Sequence, residues 1–262
     1  MNGFVMGQYL PGQSPFHRLD PRAKLVAAMI FIIACFVLNQ WAALLLLVAL
    51  ELGAMASTKL PYHYFINNLK PIFFFIVLTV ALQMFFNREG EVIFQLGFFQ
   101  LTDQGLSLGL FMALRLVIVV IISTLLTLTT KPSDLTIALE ALMKPLKVVR
   151  FPVSELALMI SIALRFVPTL FEETFKILKS QASRGVDIKE GSIKEKVSQL
   201  VSLLVPLFIL SFKRAEDLAN AMEVRGYVPG RCRTSINKLH WRLADTLLIG
   251  TGIVFFALAI WF

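Results

Sequence analysis

Long apolar blocks dominate this sequence and constrain its fold more than any other feature. They are residues 24–57, 71–86, 106–130 and 243–262. A helix needs about 20 apolar residues to cross the hydrocarbon core of a bilayer. The first block, interrupted at Asn39 and Gln40, is long enough for two short spans joined by a turn, and each other block provides one. Hydrophobic residues make up 57% of the chain and charged residues only 16%, which excludes an ordinary soluble domain. We therefore expect an all-α, polytopic membrane protein with about five transmembrane helices.

The distribution of positive charge predicts the orientation of these spans. Of the 25 Lys and Arg residues, 18 lie between Lys131 and Arg242. Lys and Arg are enriched on the cytoplasmic side of membrane proteins. Residues 131–241 are therefore expected in the cytoplasm, with the N-terminus inside and the C-terminus outside.

Two stretches within this basic region, 151–171 and 200–212, are apolar enough to suggest further spans. If both crossed, the loop between them would place six cationic side chains outside, and the second stretch has only 13 residues. We instead expect three cytoplasmic or interfacial helices over 133–148, 153–184 and 193–225, the last two long and crossing. The predicted domains are a membrane domain of four spans (1–130), a cytoplasmic domain (131–241) and a C-terminal transmembrane helix (242–262).

Both long predicted helices end on an Arg-Gly pair. Arg184-Gly185 and Arg225-Gly226 are 41 positions apart. Gly favours the left-handed residue that closes a helix, and Arg is favoured in the last turn by the helix dipole, so each pair is compatible with an ordinary helix stop. The repetition also favours a second interpretation, two similar docking elements for two related partner sites, because Arg presents a planar fork of donors suited to carboxylates and carbonyls. The candidate docking residues are Ala182, Ser183, Arg184, Gly185, Val224, Arg225 and Gly226.

With these features the sequence resembles the transmembrane T component of energy-coupling factor (ECF) transporters, which are ABC-type importers of vitamins and metal ions. The matching segments are YLPGQSPFHRLDPRAKL (9–25), LRFVPTLFEE (164–173), QASRG (181–185) and EVRGY (223–227). That family usually carries Ala before Arg-Gly, whereas this chain has Ser183 and Val224.

The resemblance implies a mechanism and a set of partners. Each Arg-Gly motif would dock a coupling helix onto one of two homologous ABC ATPase subunits, which bind ATP and Mg. The cytoplasmic domain would then be a three-helix coupling module. It would transmit motion to a small membrane-embedded S component that binds the substrate, with several S components exchanging on one T component. The chain itself would need no cofactor, would not be an enzyme and would bind no nucleic acid. It would lie in a prokaryotic cell membrane, in contact with the lipid bilayer.

Two further pairs of residues are candidates with less defined roles. Glu51 and Arg115 are ionisable residues inside apolar blocks, which makes them functional candidates, and we expect either an intramembrane ion pair or a charged group that reaches the membrane surface. Pro168 and Pro206 lie inside the long helices and each removes a backbone hydrogen bond. Each proline could produce either a static kink that fits the helix to its neighbours or a hinge, and the sequence leaves both interpretations open.

The motifs that the sequence lacks narrow the alternatives. It has no G-x-x-x-x-G-K-[ST] phosphate loop, no HExxH and no metal-binding Cys/His spacing, so ATP hydrolysis would require another chain. A secondary transporter or channel acting without ATPases is the main alternative, although no inverted repeat supports it. A membrane enzyme would need a polar catalytic cluster, and the sequence contains none.

Overall fold

The structure is a computed structural model, and it describes residues 9–87, 90–96, 99–145, 152–184, 193–229 and 239–261. The chain forms α1 (Pro21–Val37), α2 (Trp41–Thr58), α3 (Tyr62–Phe86), β1 (Val92–Leu96), β2 (Phe99–Thr102), α4 (Asp103–Thr129), α5 (Pro132–Met143), α6 (Val153–Ser183), α7 (Ile193–Val224) and α8 (Leu243–Trp261). A short 3-10 helix, Pro15–Arg18, precedes α1. This architecture confirms the predicted all-α, polytopic class, with one small β-hairpin added.

The first helix, α1, begins at a capped turn with a proline. Asp20 is the N-cap residue, and its side chain accepts a hydrogen bond from the Arg22 N–H at 2.9 Å. Pro21 occupies the first helical position, where its missing N–H costs nothing. The Asp20 N–H itself donates to the buried carboxylate of Asp245 at 2.8 Å. This bond ties the start of α1 to the first turn of α8.

The start of α3 differs from its sequence prediction. The apolar block suggested a helix from Pro71 preceded by a loop, whereas α3 already begins at Tyr62 and carries Pro71 inside it. Hydropathy locates the apolar part of a helix but not its end. The signal that was missed is helical spacing of apolar side chains within 62–70, which includes the buried Phe65.

The segment between α3 and α4 forms a small hairpin. β1 and β2 pair antiparallel, with Gln95 opposite Gln100 and an irregularity between Val92 and Phe94. At its end, the Thr102 hydroxyl accepts from the Gly105 N–H and donates to the Asn87 carbonyl at 3.0 Å. The hairpin therefore leads directly into a capped α4.

The chain divides into two compact units, 1–138 with 237–262 and 139–236. The division differs from the predicted boundaries, after residues 130 and 241, by a few residues at each side. In the first unit α1 packs against α4 and α8. Ala27 and Ala34 of α1 are buried, and Gly252 of α8 lies close to Ile30. Small residues at these positions let the helices approach closely.

Six of the described helices are long and apolar enough to cross a membrane, namely α2, α3, α4, α6, α7 and α8. α1 has 17 residues and is one residue shorter than the shortest of them. By length and composition alone, α6 and α7 could therefore cross a membrane, although we expected them outside the bilayer. Charge separates them from the rest, because α6 carries six charged residues and α7 eight, while α1, α2, α3, α4 and α8 carry at most two each.

Candidate functional site

The first Arg-Gly end terminates α6 with a tightened last turn. The Arg184 N–H donates to the Gln181 carbonyl at 3.0 Å, three residues back instead of four. The Ser183 hydroxyl donates to the Lys179 carbonyl at 3.0 Å. Ala182, Ser183 and Arg184 are all exposed, and Gly185, the fourth predicted docking residue at this end, lies outside the described residues. The end of α6 is therefore a polar tip with its Arg in solvent.

The second Arg-Gly end terminates α7 with a complete Schellman motif. The Gly226 N–H donates to the Glu223 carbonyl at 2.9 Å, and the Tyr227 N–H donates to the Met222 carbonyl at 3.0 Å. Gly226 has a φ of +72°, and a Cβ there would meet no atom within 4 Å. Gly is thus required by the left-handed conformation and not by crowding. The predicted left-handed helix stop is confirmed at this end.

The two ends share an Arg that no described residue engages. Arg184 and Arg225 are exposed, and neither guanidinium has a hydrogen bond or ion pair to another described residue. Such a group offers five donors in a fixed fork to an incoming carboxylate or carbonyl. Both ends therefore have the chemistry of a docking element in addition to that of a helix stop.

An ion pair that sequence reasoning missed joins the two long helices behind their tips. Arg214 of α7 binds the carboxylate of Glu173 of α6, with both side chains partly exposed. The Arg214 guanidinium also lies 5.7 Å from the centre of the Phe166 ring. Glu173 precedes Arg184 by eleven positions, and Arg214 precedes Arg225 by the same number. The available signal was an opposite-charge pair with the same spacing of 41 residues as the Arg-Gly repeat.

Beside this ion pair, α6 and α7 form an apolar groove of about 830 Å³. Phe166 and Leu170 line it from α6, and Leu218 and Met222 line it from α7. The ion pair connects the two helices about 16 Å, eleven residues of helix, from each tip. A displacement at either tip can therefore reach the other helix through this joint.

The two candidate hinge prolines lie inside helices that continue through them. Pro168 is in α6 and Pro206 in α7. Because proline has no N–H, the carbonyls of Leu164 and Ser202 lose their usual helical donor. These positions are locally weakened, and their role as hinges stays a prediction.

Glu51 and Arg115 do not form the predicted ion pair in the described part of the chain. Arg115 is buried and donates to the backbone carbonyl of Leu38 at the end of α1, with its guanidinium 5.1 Å from the centre of the Phe111 ring. A helix C-terminus with its free carbonyls is a favourable partner for a cation. Glu51 lies ten positions beyond Trp41, which places it about 15 Å further along α2.

Glu51 instead lines a small cleft between α1, α2, α4 and α8. Its Oε1 is buried and has no hydrogen-bond partner among the described residues. Lys24 lines the same cleft, and its ammonium donates to the Thr129 carbonyl at 3.0 Å. Lys24 therefore fastens α1 to the end of α4.

Comparison with known proteins shows which family the chain resembles. The model of the CbiQ family, described as cobalt transport protein, matches residues 12–236. The energy-coupling factor transporter transmembrane protein EcfT of Listeria innocua is 47% identical over 261 residues, which cover 100% of this chain and 98% of the relative. The EcfT protein of Bacillus subtilis is 47% identical over 258 residues, covering 98% of this chain and 97% of the relative. A third EcfT, from Exiguobacterium sibiricum, is also 47% identical, over 254 residues.

Proposed function

Because the chain belongs to the CbiQ family and is a transmembrane component of an energy-coupling factor transporter, we propose that it couples two ATPase subunits to a membrane-embedded S component. In this role the ATPases bind ATP and Mg and change shape on hydrolysis. The chain transmits that motion to the S component, which binds the vitamin or metal ion to be imported. Several S components can then exchange on the same chain.

The observation that carries this proposal is the pair of exposed arginines at the ends of α6 and α7. Arg184 and Arg225 end two helices of one compact unit, and the Glu173–Arg214 ion pair joins these helices at an equal distance behind both tips. Coupling requires two contact points and a connection that responds to both. The second unit of the chain has these parts.

The proposal places α6 and α7 at the cytoplasmic face and the other long helices in the bilayer. The six and eight charged residues of α6 and α7 would be costly inside hydrocarbon. With α1, α2, α3, α4 and α8 as spans, the N-terminus is cytoplasmic and the C-terminus outside. The membrane would be that of a prokaryotic cell.

Co-purification tests this proposal. The tagged chain, expressed with its neighbouring transporter genes and extracted in detergent, is expected to bring down ABC ATPase chains and a small membrane protein, identified by mass spectrometry. Depletion of ATP should stop uptake of the substrate of the bound S component. A pure chain that transports without ATPases would contradict the proposal and favour a secondary transporter or channel.

A further inference from the structure

The two Arg-Gly ends carry opposite charge over their last ten residues. In α6 the segment 175–184 contains three cations, Lys176, Lys179 and Arg184, and no acidic residue. In α7 the segment 216–225 contains three acidic residues and the single cation Arg225. These acidic residues are Glu216, Asp217 and Glu223. The shared Arg is thus presented on a basic tip in one helix and on an acidic tip in the other.

These charges are placed where a docking partner would meet them. All seven of the charged residues in the two segments are exposed. Opposing charges, Glu172 in α6 and Lys213 in α7, lie twelve positions before the respective Arg. That separation is about 18 Å along a helix, beyond the range of about 8–10 Å over which exposed charges act in salt. Glu172 nevertheless lies within about one turn of Lys176, and Lys213 within about one turn of Glu216 and Asp217, so the charge beside each Arg comes mainly from Lys179 at the α6 end and from Glu223 at the α7 end. A surface that contacts the two ends therefore meets flanking charges of opposite sign.

The residues beside each Arg add a second difference. At the α6 tip Ser183 keeps its hydroxyl on the helix, on the Lys179 carbonyl. At the α7 tip Val224 is 89% exposed and Val228 is 51% exposed. Two apolar side chains this accessible, flanking one Arg, fit a partner surface with an apolar floor. At the α6 tip the place of Val224 is taken by the small, polar Ser183, and residues 185–192 lie outside the described part of the chain.

We propose that the ends of α6 and α7 fit ATPase sockets of opposite charge, so that charge decides which ATPase subunit each end meets. The α6 tip fits an acidic, polar socket. The α7 tip fits a socket with a basic rim and an apolar floor, together with one acceptor for Arg225. This inference rests on the proposed function and adds to it a rule for pairing the two ends with two different subunits.

Electrostatics can produce this sorting mainly because repulsion between like charges disfavours the incorrect pairing of a tip with an ATPase subunit. Complementary charges speed correct association, and like charges brought together exclude the incorrect partner. The Arg fork is common to both tips and cannot discriminate. The flanking charges are positive in α6 and negative in α7, so they can discriminate between the two subunits.

Site-specific cross-linking tests the rule. In a background with Cys35→Ala and Cys232→Ser, the variants Ser183→Cys and Val224→Cys carry a photo-cross-linker at one tip each. Each variant is co-expressed with the two ABC ATPase chains and the S component, and captured subunits are quantified by mass spectrometry. Each position is expected to prefer a different ATPase by at least about tenfold.

Charge reversal then changes the partner. Reversing both tips together, with Lys176→Glu and Lys179→Glu in α6 and Glu216→Lys, Asp217→Lys and Glu223→Lys in α7, is expected to exchange the captured subunits. The matched control Lys176→Arg with Lys179→Arg keeps the charge and should keep the original pattern. In the two cross-linking variants without any charge substitution, high salt should reduce the preference at both positions, a readout that needs no charge variant to fold.

The outcomes separate this inference from the proposed function. Capture of both ATPases equally at both positions, assembly with only one ATPase species, or a preference unaffected by salt would overturn the charge rule while leaving ATPase coupling in place. No capture of any ATPase at either tip of the assembled chain would overturn the proposed function itself.

Discussion

At the end of α7 the Arg225 N–H donates to the Ala221 carbonyl four residues back, whereas at the end of α6 the Arg184 N–H donates to the Gln181 carbonyl three residues back. The flanking charges are opposite and the neighbouring side chains differ. What stays the same is an exposed Arg immediately after the last helical residue. A repeat kept only to stop two helices would not need to keep the guanidinium, so the shared Arg indicates a shared contact.

The largest expected effect is a similar loss of uptake when either Arg is reversed. Arg184→Glu and Arg225→Glu should each weaken ATPase docking by about 3 kcal/mol, or roughly 100-fold, because a desolvated fork of hydrogen bonds becomes a repulsive carboxylate. Uptake in cells and ATPase co-purification measure this. The control Lys194→Glu reverses an exposed charge at the start of α7 and should have little effect. A strong loss for one Arg and none for the other would break the equivalence.

The joint between the two helices should give the next largest effect. Glu173→Arg places two cations together and removes a charge-assisted bond, which should cost about 2 kcal/mol of unfolding free energy and reduce uptake. The double variant Glu173→Arg with Arg214→Glu restores opposite charges and should recover most of the loss. Thermal unfolding in detergent and uptake would be measured together. No recovery in the double variant would show that the pair has no role in joining α6 to α7.

Gly226→Ala should affect the α7 end by about 1 kcal/mol, because a Cβ disfavours the left-handed conformation. Hydrogen exchange of the Gly226 and Tyr227 amides should speed up, while amides of α6 should not change. Gly226→Asn is the milder control, since Asn tolerates this conformation better. Equal exchange rates in all three proteins would mean that the turn does not depend on Gly226.

The smallest effect is expected at Ser183, whose hydroxyl has, among the described residues, only the Lys179 carbonyl of its own helix as a partner. Ser183→Ala should change unfolding free energy by less than about 0.5 kcal/mol and leave uptake unaltered. Val224→Ser, by contrast, removes an exposed apolar contact and should weaken the α7 end measurably in ATPase co-purification. Equal behaviour of the two variants would argue against a difference in the surfaces that they contact.

Periodicity and helix-stop residues predicted the second unit well. The helices expected over 153–184 and 193–225 occur as Val153–Ser183 and Ile193–Val224, and Gly226 has the left-handed conformation that its position requires. Local rules suffice there because each helix end is decided within a few residues. The prediction for the start of α3 was wrong because it rested on the apolar block, and an apolar block does not define where the polar first turns of a helix begin.

Pairings between distant residues were not predictable in this way. Arg115 donates to the backbone carbonyl of Leu38 at the end of α1, and Glu173 and Arg214 form an ion pair although they are 41 positions apart. A backbone acceptor leaves no mark in the sequence, and the pairing of two charges depends on how helices pack. The roles of Arg184 and Arg225 were suggested by repetition and resemblance, and they stay predictions until partners are present.

The central claim is that Arg184 and Arg225 connect the chain to its ATPases, and the double variant Arg184→Glu with Arg225→Glu tests it most directly. ATP-driven uptake of the substrate of the S component would be measured in cells that lack their own copy of the chain and co-express the ATPases and that S component, with equal amounts of the variant and wild-type chains in the membrane. We predict that uptake is abolished. Uptake at the wild-type rate would contradict the claim.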